Sequence, residues 1–427
     1  MRKQLLGSLV CASLAMSMVF AGGAQEKSGT GGAAATRKVD LTFSSWRTED
    51  VPVYEEIIKK FEAENPGIHV SYQPYKTEEY QTVLAANFKG GTAADVIHLR
   101  AYGNFEQFAK PGYLLPLSKE NVPNLVNFND QSLKGSTSIY DNNCYGVPYA
   151  SQSLVIYYNK DVYQRLGLSE PKTWDQFVAN LKACKDNKVT PLANGTYAGW
   201  MDEVLVGDLG SSIYTDAFYD DVTSGKCDFT DSRYVAALDR VKSLAPYFPD
   251  GFQSLDYVPQ QMMFINGMAA HFIGGIWESA YFTAQNPDLK LGLFVCPPEK
   301  ENGTQYLPFY MDGSYGVNKA SKNQEAALTF VNYLASKDVQ QFLSDKLAVK
   351  TEHKDVVPNN PFLKIVSDPK FVKVPYVMLV GFRYEQPTGS SLLQAGVQAL
   401  MAGTKTSQQV AADITEGVRK YFKPFQK

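Results

Sequence analysis

The sequence predicts an α/β protein built as two lobes, and three observations carry that expectation. Some 400 of the 427 residues follow a short N-terminal segment, which is more chain than one hydrophobic core organises. Between Val39 and Ile97, strand and helix periodicities alternate in the order βαβαβ, the pattern of a largely parallel sheet. Farther on, Leu154–Tyr158 is a continuous apolar run of the kind found in a strand covered on both faces.

The first strand is read at Val39–Ser44, where Val39, Leu41 and Phe43 alternate with polar residues. It stops at the polar loop Ser45-Trp46-Arg47-Thr48-Glu49-Asp50. Pro52 suits the first turn of a helix with the apolar stripe Val53, Ile57, Ile58 and Phe61, ended by Asn65-Pro66-Gly67. Ile68–Tyr72 is the second strand. Tyr80, Val83, Leu84 and Phe88 mark the next helix, closed by Gly90-Gly91, and Asp95-Val96-Ile97 begins the third strand. Thr173-Trp174-Asp175-Gln176 has the form of a capping box ahead of Phe177, Leu181 and Cys184, and Ser321–Gln324 repeats it ahead of Ala327, Phe330, Val331 and Leu334. No internal repeat or charge block is present.

Residues 1–24 have the layout of a secretory signal. Arg2 and Lys3 precede the apolar stretch Leu5–Phe20, and the small residues Ala21-Gly22-Gly23-Ala24 follow, so cleavage is expected after Ala21 or Ala24. Cys11, Ser13 and Ser17 interrupt a stretch that as a membrane span would need roughly 20 apolar residues. A lipid anchor would call for a cysteine directly after the small residues, and Cys11 lies within the apolar region, so anchoring is not expected. Residues 25–37 are rich in Gly, Ser and Ala and read as a flexible tether. Removing residues 1–24 takes away two basic residues and no acid, leaving 39 basic and 44 acidic residues, a net charge of −5. Such a surface favours neither nucleic acid nor anionic lipid. Cys144, Cys184, Cys227 and Cys296 match no zinc pattern; in an exported chain they permit two disulfides in any of three pairings, or free thiols.

Catalytic signatures are missing. There is no Gly-x-Ser-x-Gly elbow, Walker loop, Gly-x-Gly-x-x-Gly or His-Glu-x-x-His, and His69, His98, His271 and His353 are scattered. Paired carboxylates could make a glycosidase, but with 44 acids in the chain any such pairing carries no information. No enzyme, metal or cofactor is expected. The positive signal is aromatic: Phe, Trp and Tyr make up 13% of the chain. A pyranose has apolar faces and a rim of hydroxyls, which suit ring stacking beside charged or amide groups. The informative rings sit in polar loops at strand ends, where α/β ligand sites form. Trp46 is flanked by Arg47 and Glu49, Tyr102 follows Arg100, Trp200 precedes Asp202, and Trp277 lies between Gly274-Gly275 and Glu278. Trp174, at a helix start, is read as structural.

Motifs ordered along nearly the whole chain resemble the family 1 extracellular solute-binding proteins of bacterial ABC importers, the group that includes maltose-binding protein. They are Ile57–Glu62 with Asn65-Pro66-Gly67-Ile68-His69-Val70, Asp95-Val96-Ile97, Gly112–Leu117, Gly146-Val147-Pro148-Tyr149, Tyr157-Tyr158-Asn159-Lys160-Asp161, Pro171-Lys172-Thr173-Trp174, Phe264–Ala270 through Gly275-Ile276-Trp277, and Gly313–Val317. The resemblance implies a periplasmic-binding-protein-like fold (type II) with solute held in a cleft between hinged lobes. One lobe would hold 38–147 and 309–348, the other 148–308 and 349–427. It also implies site positions. Trp46, Trp200 and Trp277 would stack on sugar faces, with Tyr102 and Tyr197 in matching cleft segments. Arg47, Glu49, Arg100, Gln152, Asp202 and Glu278 would recognise hydroxyls; apart from the resemblance, Asp312 in its polar setting before Gly313-Ser314 and Arg383 in Gly381-Phe382-Arg383-Tyr384 are further candidates. Gln152 stands where maltose-binding protein carries a ligand-contacting acid. The expected molecule is an exported monomer that captures a mono- or oligosaccharide for a transmembrane permease, with no cofactor. A binder of another polar solute such as a polyol, or a secreted glycosidase, are the alternatives.

Overall fold

The computed structural model describes residues 38–77 and 79–426. The signal segment, the tether and Cys11 lie outside the described residues. Nine strands are present among the described residues: β1 (Val39–Ser45), β2 (Ile68–Pro74), β3 (Val96–Arg100), β4 (Val147–Asn159), β5 (Thr190–Leu192), β6 (Ala269–Gly275), β7 (Leu291–Phe294), β8 (Tyr306–Val317) and β9 (Val372–Pro375). The expected βαβαβ opening is present, with β1 parallel to both β2 and β3. The helix after β1, Val51–Glu64, has Pro in its first turn and buries Tyr54, Ile57, Ile58 and Phe61.

Two long strands join the lobes. The strand order is β2-β1-β3-β8-β4-β6-β5, with β7 beside β4 and β9 beside β8. Residues 147–153 of β4 pair antiparallel with β8. Residues 154–159 pair instead with β6 and β7. A single strand therefore leaves one sheet and enters the other, with register shifts at Pro148/Ala150 and Ala150/Ser151. Leu154–Tyr158, read as a short strand, is only the second half of this element.

Separate cores lie on either side of the crossing. Leu41, Phe43, Phe61, Tyr315 and Phe330 anchor one, and Trp46, Leu84 and Phe105 extend that lobe toward the cleft. On the other side Ile156, Phe177, Leu209, Phe218, Val397 and Ile414 form one cluster. Leu154, Phe264, Phe272, Phe282 and Leu307 form a second. The fold is thus the two-lobed α/β architecture that the sequence predicts.

Local details differ from expectation at three points. Thr173 caps its helix by accepting from Gln176 N, but the Gln176 side chain accepts from Lys172 N, so the box is half made. Ser321 caps nothing: its hydroxyl donates to Asp95, and the helix Gln324–Leu334 starts after Asn323 with no side-chain cap. A reciprocal capping box forms instead at Thr406 and Gln409. The four cysteines among the described residues are free thiols, Cys184 and Cys296 fully buried.

Candidate functional site

Between the lobes lies a cavity of about 410 Å³. The loop after β1 supplies Trp46, Arg47 and Glu49, the end of β3 supplies Arg100, and the crossing strands supply Gln152, Tyr310 and Asp312. The opposite wall comes from helix starts: Trp200 and Val204 on Gly199–Ser224, Tyr257 on Tyr257–Ile265, and Trp277 just before Glu278–Gln285. Tyr376, Leu379 and Arg383 close one end. A larger recess of about 530 Å³ lies at Phe88, Gly91, Asp95, Tyr113 and residues 318–323. There the Asp95 carboxylate is already taken by Thr42 and Ser321, so it offers less chemistry than the inter-lobe cavity.

The far wall is aromatic. Trp200 and Tyr257 meet edge to face with centroids 4.6 Å apart, and Trp277 follows at 6.4 Å from Trp200. Each of the three rings is only partly buried, so apolar surface remains open to a solute. The Trp277 indole lies over Gly275, where even one Cβ would overlap the ring. Behind it sits the carboxylate of Glu278, accepting from Tyr257 OH at 2.5 Å, from Gln261 Nε2 at 2.7 Å and from Trp277 Nε1 at 3.0 Å.

The near wall is polar. Arg47 is bound by Asp50 at 2.6 Å and Glu49 at 3.1 Å. Arg383 is fixed by the fully buried Glu203 at 2.8 Å and by Ser390. Arg100 differs: among the described residues it makes no ion pair, and its one hydrogen bond is a 3.4 Å contact to the Thr77 carbonyl. Burial pulls its guanidinium below the ordinary value, with Asp312 opposing. Asp312 accepts from Gln152 Nε2 at 3.2 Å, while Gln152 Oε1 is buried without a protein partner. An acceptor, a donor and an unpaired amide oxygen therefore converge on the cavity. That set suits hydroxyl groups, each of which donates and accepts.

Nine of the sequence-predicted residues line this cavity: Trp46, Arg47, Glu49, Arg100, Gln152, Trp200, Trp277, Asp312 and Arg383. Four do not. Tyr102 turns through φ 57° at the start of a helix, packs in the far-lobe core and accepts from Met311 N. Tyr197 is 62% exposed and does not line the cavity. Asp202 is completely buried with neither carboxylate oxygen partnered, and burial pushes it up to about 9. Glu278 is 1% exposed, behind the wall rather than on it. Trp46 needs a second correction. It is 2% exposed, stacked on His98 at 4.0 Å and covered by the Arg100 guanidinium at 4.4 Å, so it offers an edge and no open face. Tyr257, Tyr310, Tyr376, Gln81 and Asn104 line the cavity without having been singled out.

Comparison with known proteins gives a consistent picture. The family described as bacterial extracellular solute-binding protein matches residues 45–341. The chain is 26% identical over 350 residues to the multiple sugar-binding protein of Streptococcus mutans, covering 78% of this chain and 81% of the relative. It is 29% identical over 340 residues to the maltodextrin-binding protein MdxE of Bacillus subtilis, covering 76% of each. Among solved structures it is similar to a chitin oligosaccharide binding protein (TM-score 0.79, 23% identity, 90% of this chain and 99% of the other). It is also similar to RafE in complex with raffinose (TM-score 0.72, 20% identity, 91% and 100%).

Proposed function

Because the chain belongs to the bacterial extracellular solute-binding proteins, we propose that it captures a mono- or oligosaccharide between its lobes and delivers it to the permease of an ABC importer. The single observation that carries this reading is the contiguous wall of Trp200, Tyr257 and Trp277 facing the polar groups of Arg100, Gln152 and Asp312 across the cavity. Rings stack on the apolar faces of a pyranose, and the opposing charges take its hydroxyls. Relatives with printed sugar-binding names support the substrate class. Pneumococcal relatives are maltooligosaccharide ABC transporter solute-binding lipoproteins, which supports export and a permease partner. No helix among the described residues is long and apolar enough to cross a membrane.

The proposed lobes, 38–147 with 309–348 and 148–308 with 349–427, would close about β4 and β8. A solute touching both walls favours the closed state by its extra contacts there. Thermal-shift and calorimetric screening against neutral mono-, di- and trisaccharides and polyols tests the function. The expected result is saturable binding of at least one saccharide without sugar release. Binding of polyols alone, or hydrolysis of the sugar, overturns it. Gly275→Ala supplies a further check, since its methyl must push the Trp277 ring off its seat. Binding of the same saccharide is expected to weaken at least tenfold.

A further inference from the structure

We propose that Glu278 is a positioning residue for solute binding: it does not itself line the cavity and instead holds Trp277 and Tyr257, which do, in place as the aromatic wall. This rests on the carbohydrate-binding reading above. Three donors from two chain segments converge on its two oxygens. Trp277 Nε1 and Tyr257 OH share Oε1, and Gln261 Nε2 takes Oε2. Tyr257 and Gln261 are four residues apart on the helix Tyr257–Ile265, so both face the carboxylate from one side. Trp277 approaches from the loop after β6. Aromatic rings pack without such a group, and a buried carboxylate that lacks a contacting cation costs stability. The carboxylate contributes direction. Charge-assisted hydrogen bonds fix the edges of two rings that packing alone would leave free to tilt.

The arrangement is sensitive to protonation. Burial pushes the Glu278 carboxyl up to about 7, against the three hydrogen bonds that favour its charged form. The titratable groups facing it are Tyr257 from the helix, Tyr157 from β4 and Arg47 from the loop after β1. Burial raises both tyrosines well above their ordinary value, and Arg47 stays charged. Glu278 is therefore the group in this cluster that titrates between pH 5 and 9. Once protonated it is a weaker acceptor with a hydrogen of its own to place among three donors. The wall is ordered above the midpoint and loosens below it.

The test uses the sugar-free mature protein, so it does not depend on which solute binds. Tryptophan emission and near-ultraviolet circular dichroism are followed from pH 5 to 9. Wild type is expected to show a transition near pH 7, apart from any change toward pH 9 as Asp202 ionises two residues from Trp200. Glu278→Gln should abolish it, and Trp277→Phe should reduce it to the part that Trp200 reports through Tyr257, with unfolding midpoints retained. Tyr257→Phe removes a bond to the charged form, and the transition should move to higher pH. His98 beside Trp46 does not contribute, because burial holds it neutral well below its ordinary value. A flat wild-type profile overturns the proposal, as does a transition that survives unchanged in Glu278→Gln. If Glu278→Gln does not fold, the Tyr257→Phe shift decides. A confirmed transition in a protein that binds no sugar sinks the functional reading and leaves the positioning role; sugar binding with a flat profile does the reverse.

Discussion

Trp277→Ala is expected to lower sugar affinity about thirtyfold to a hundredfold while leaving the unfolding midpoint of the sugar-free protein nearly unchanged. The ring is only partly buried and lines the inter-lobe cavity. Covering its open surface with a pyranose is worth on the order of 2–3 kcal/mol, which converts to that loss of affinity. A tryptophan whose work is packing behaves differently: truncating one costs roughly 3–5 kcal/mol of folding stability. Calorimetric titration and thermal unfolding of one variant separate the two roles. A collapsed midpoint, or full affinity in a folded variant, assigns Trp277 to packing.

Asp208→Asn is expected to stabilise the protein, with a margin that grows as pH rises from 5 to 8. Asp208 lies within the helix Gly199–Ser224, fully buried, and neither carboxylate oxygen has a protein partner. Burial alone pushes it up to about 8. The folded state then holds a proton that the unfolded chain releases near pH 4, so stability falls as pH rises between those values. The slope is about 1.4 kcal/mol per pH unit, flattening above the folded pKa. Asparagine carries no such proton. Asp202, on the first turn of the same helix, is less suited to the test because the helix N-terminus favours its charged form. Parallel wild-type and Asp208→Asn curves of unfolding midpoint against pH would contradict the expectation.

Local periodicity made the first lobe legible. Alternation at Val39, Leu41 and Phe43 gave β1 to within one residue, and Pro52 marked the start of the helix that follows it. The course of β4 was not legible. Residues 147–153 mix Pro, Tyr, Ser and Gln, and they form a buried strand only because β8 pairs with them. The loops at strand ends held much of the cavity lining, because a large ring beside a charge is uncommon where neither is needed for packing. Which way a side chain points was harder to read. Asp202 follows Trp200 by two positions, roughly 200° around a helix, so the two cannot face the same way. Val204, one turn on from Trp200, lines the cavity instead. Tyr257, Tyr310 and Tyr376 lie among apolar neighbours and carry the same sequence signature as core tyrosines such as Tyr157. Tyr310 and Tyr376 belong to the same buried cluster as Tyr157 and differ from it only in bordering the cavity, which is set by tertiary packing.

The most direct test of the account is a crystal structure with the saccharide that binds most tightly in the panel. Density for a pyranose is expected against Trp200, Tyr257 and Trp277, with its hydroxyls within hydrogen-bonding distance of Arg100, Gln152 or Asp312. A sugar seated elsewhere, or a cavity left empty at saturating concentration, would contradict it.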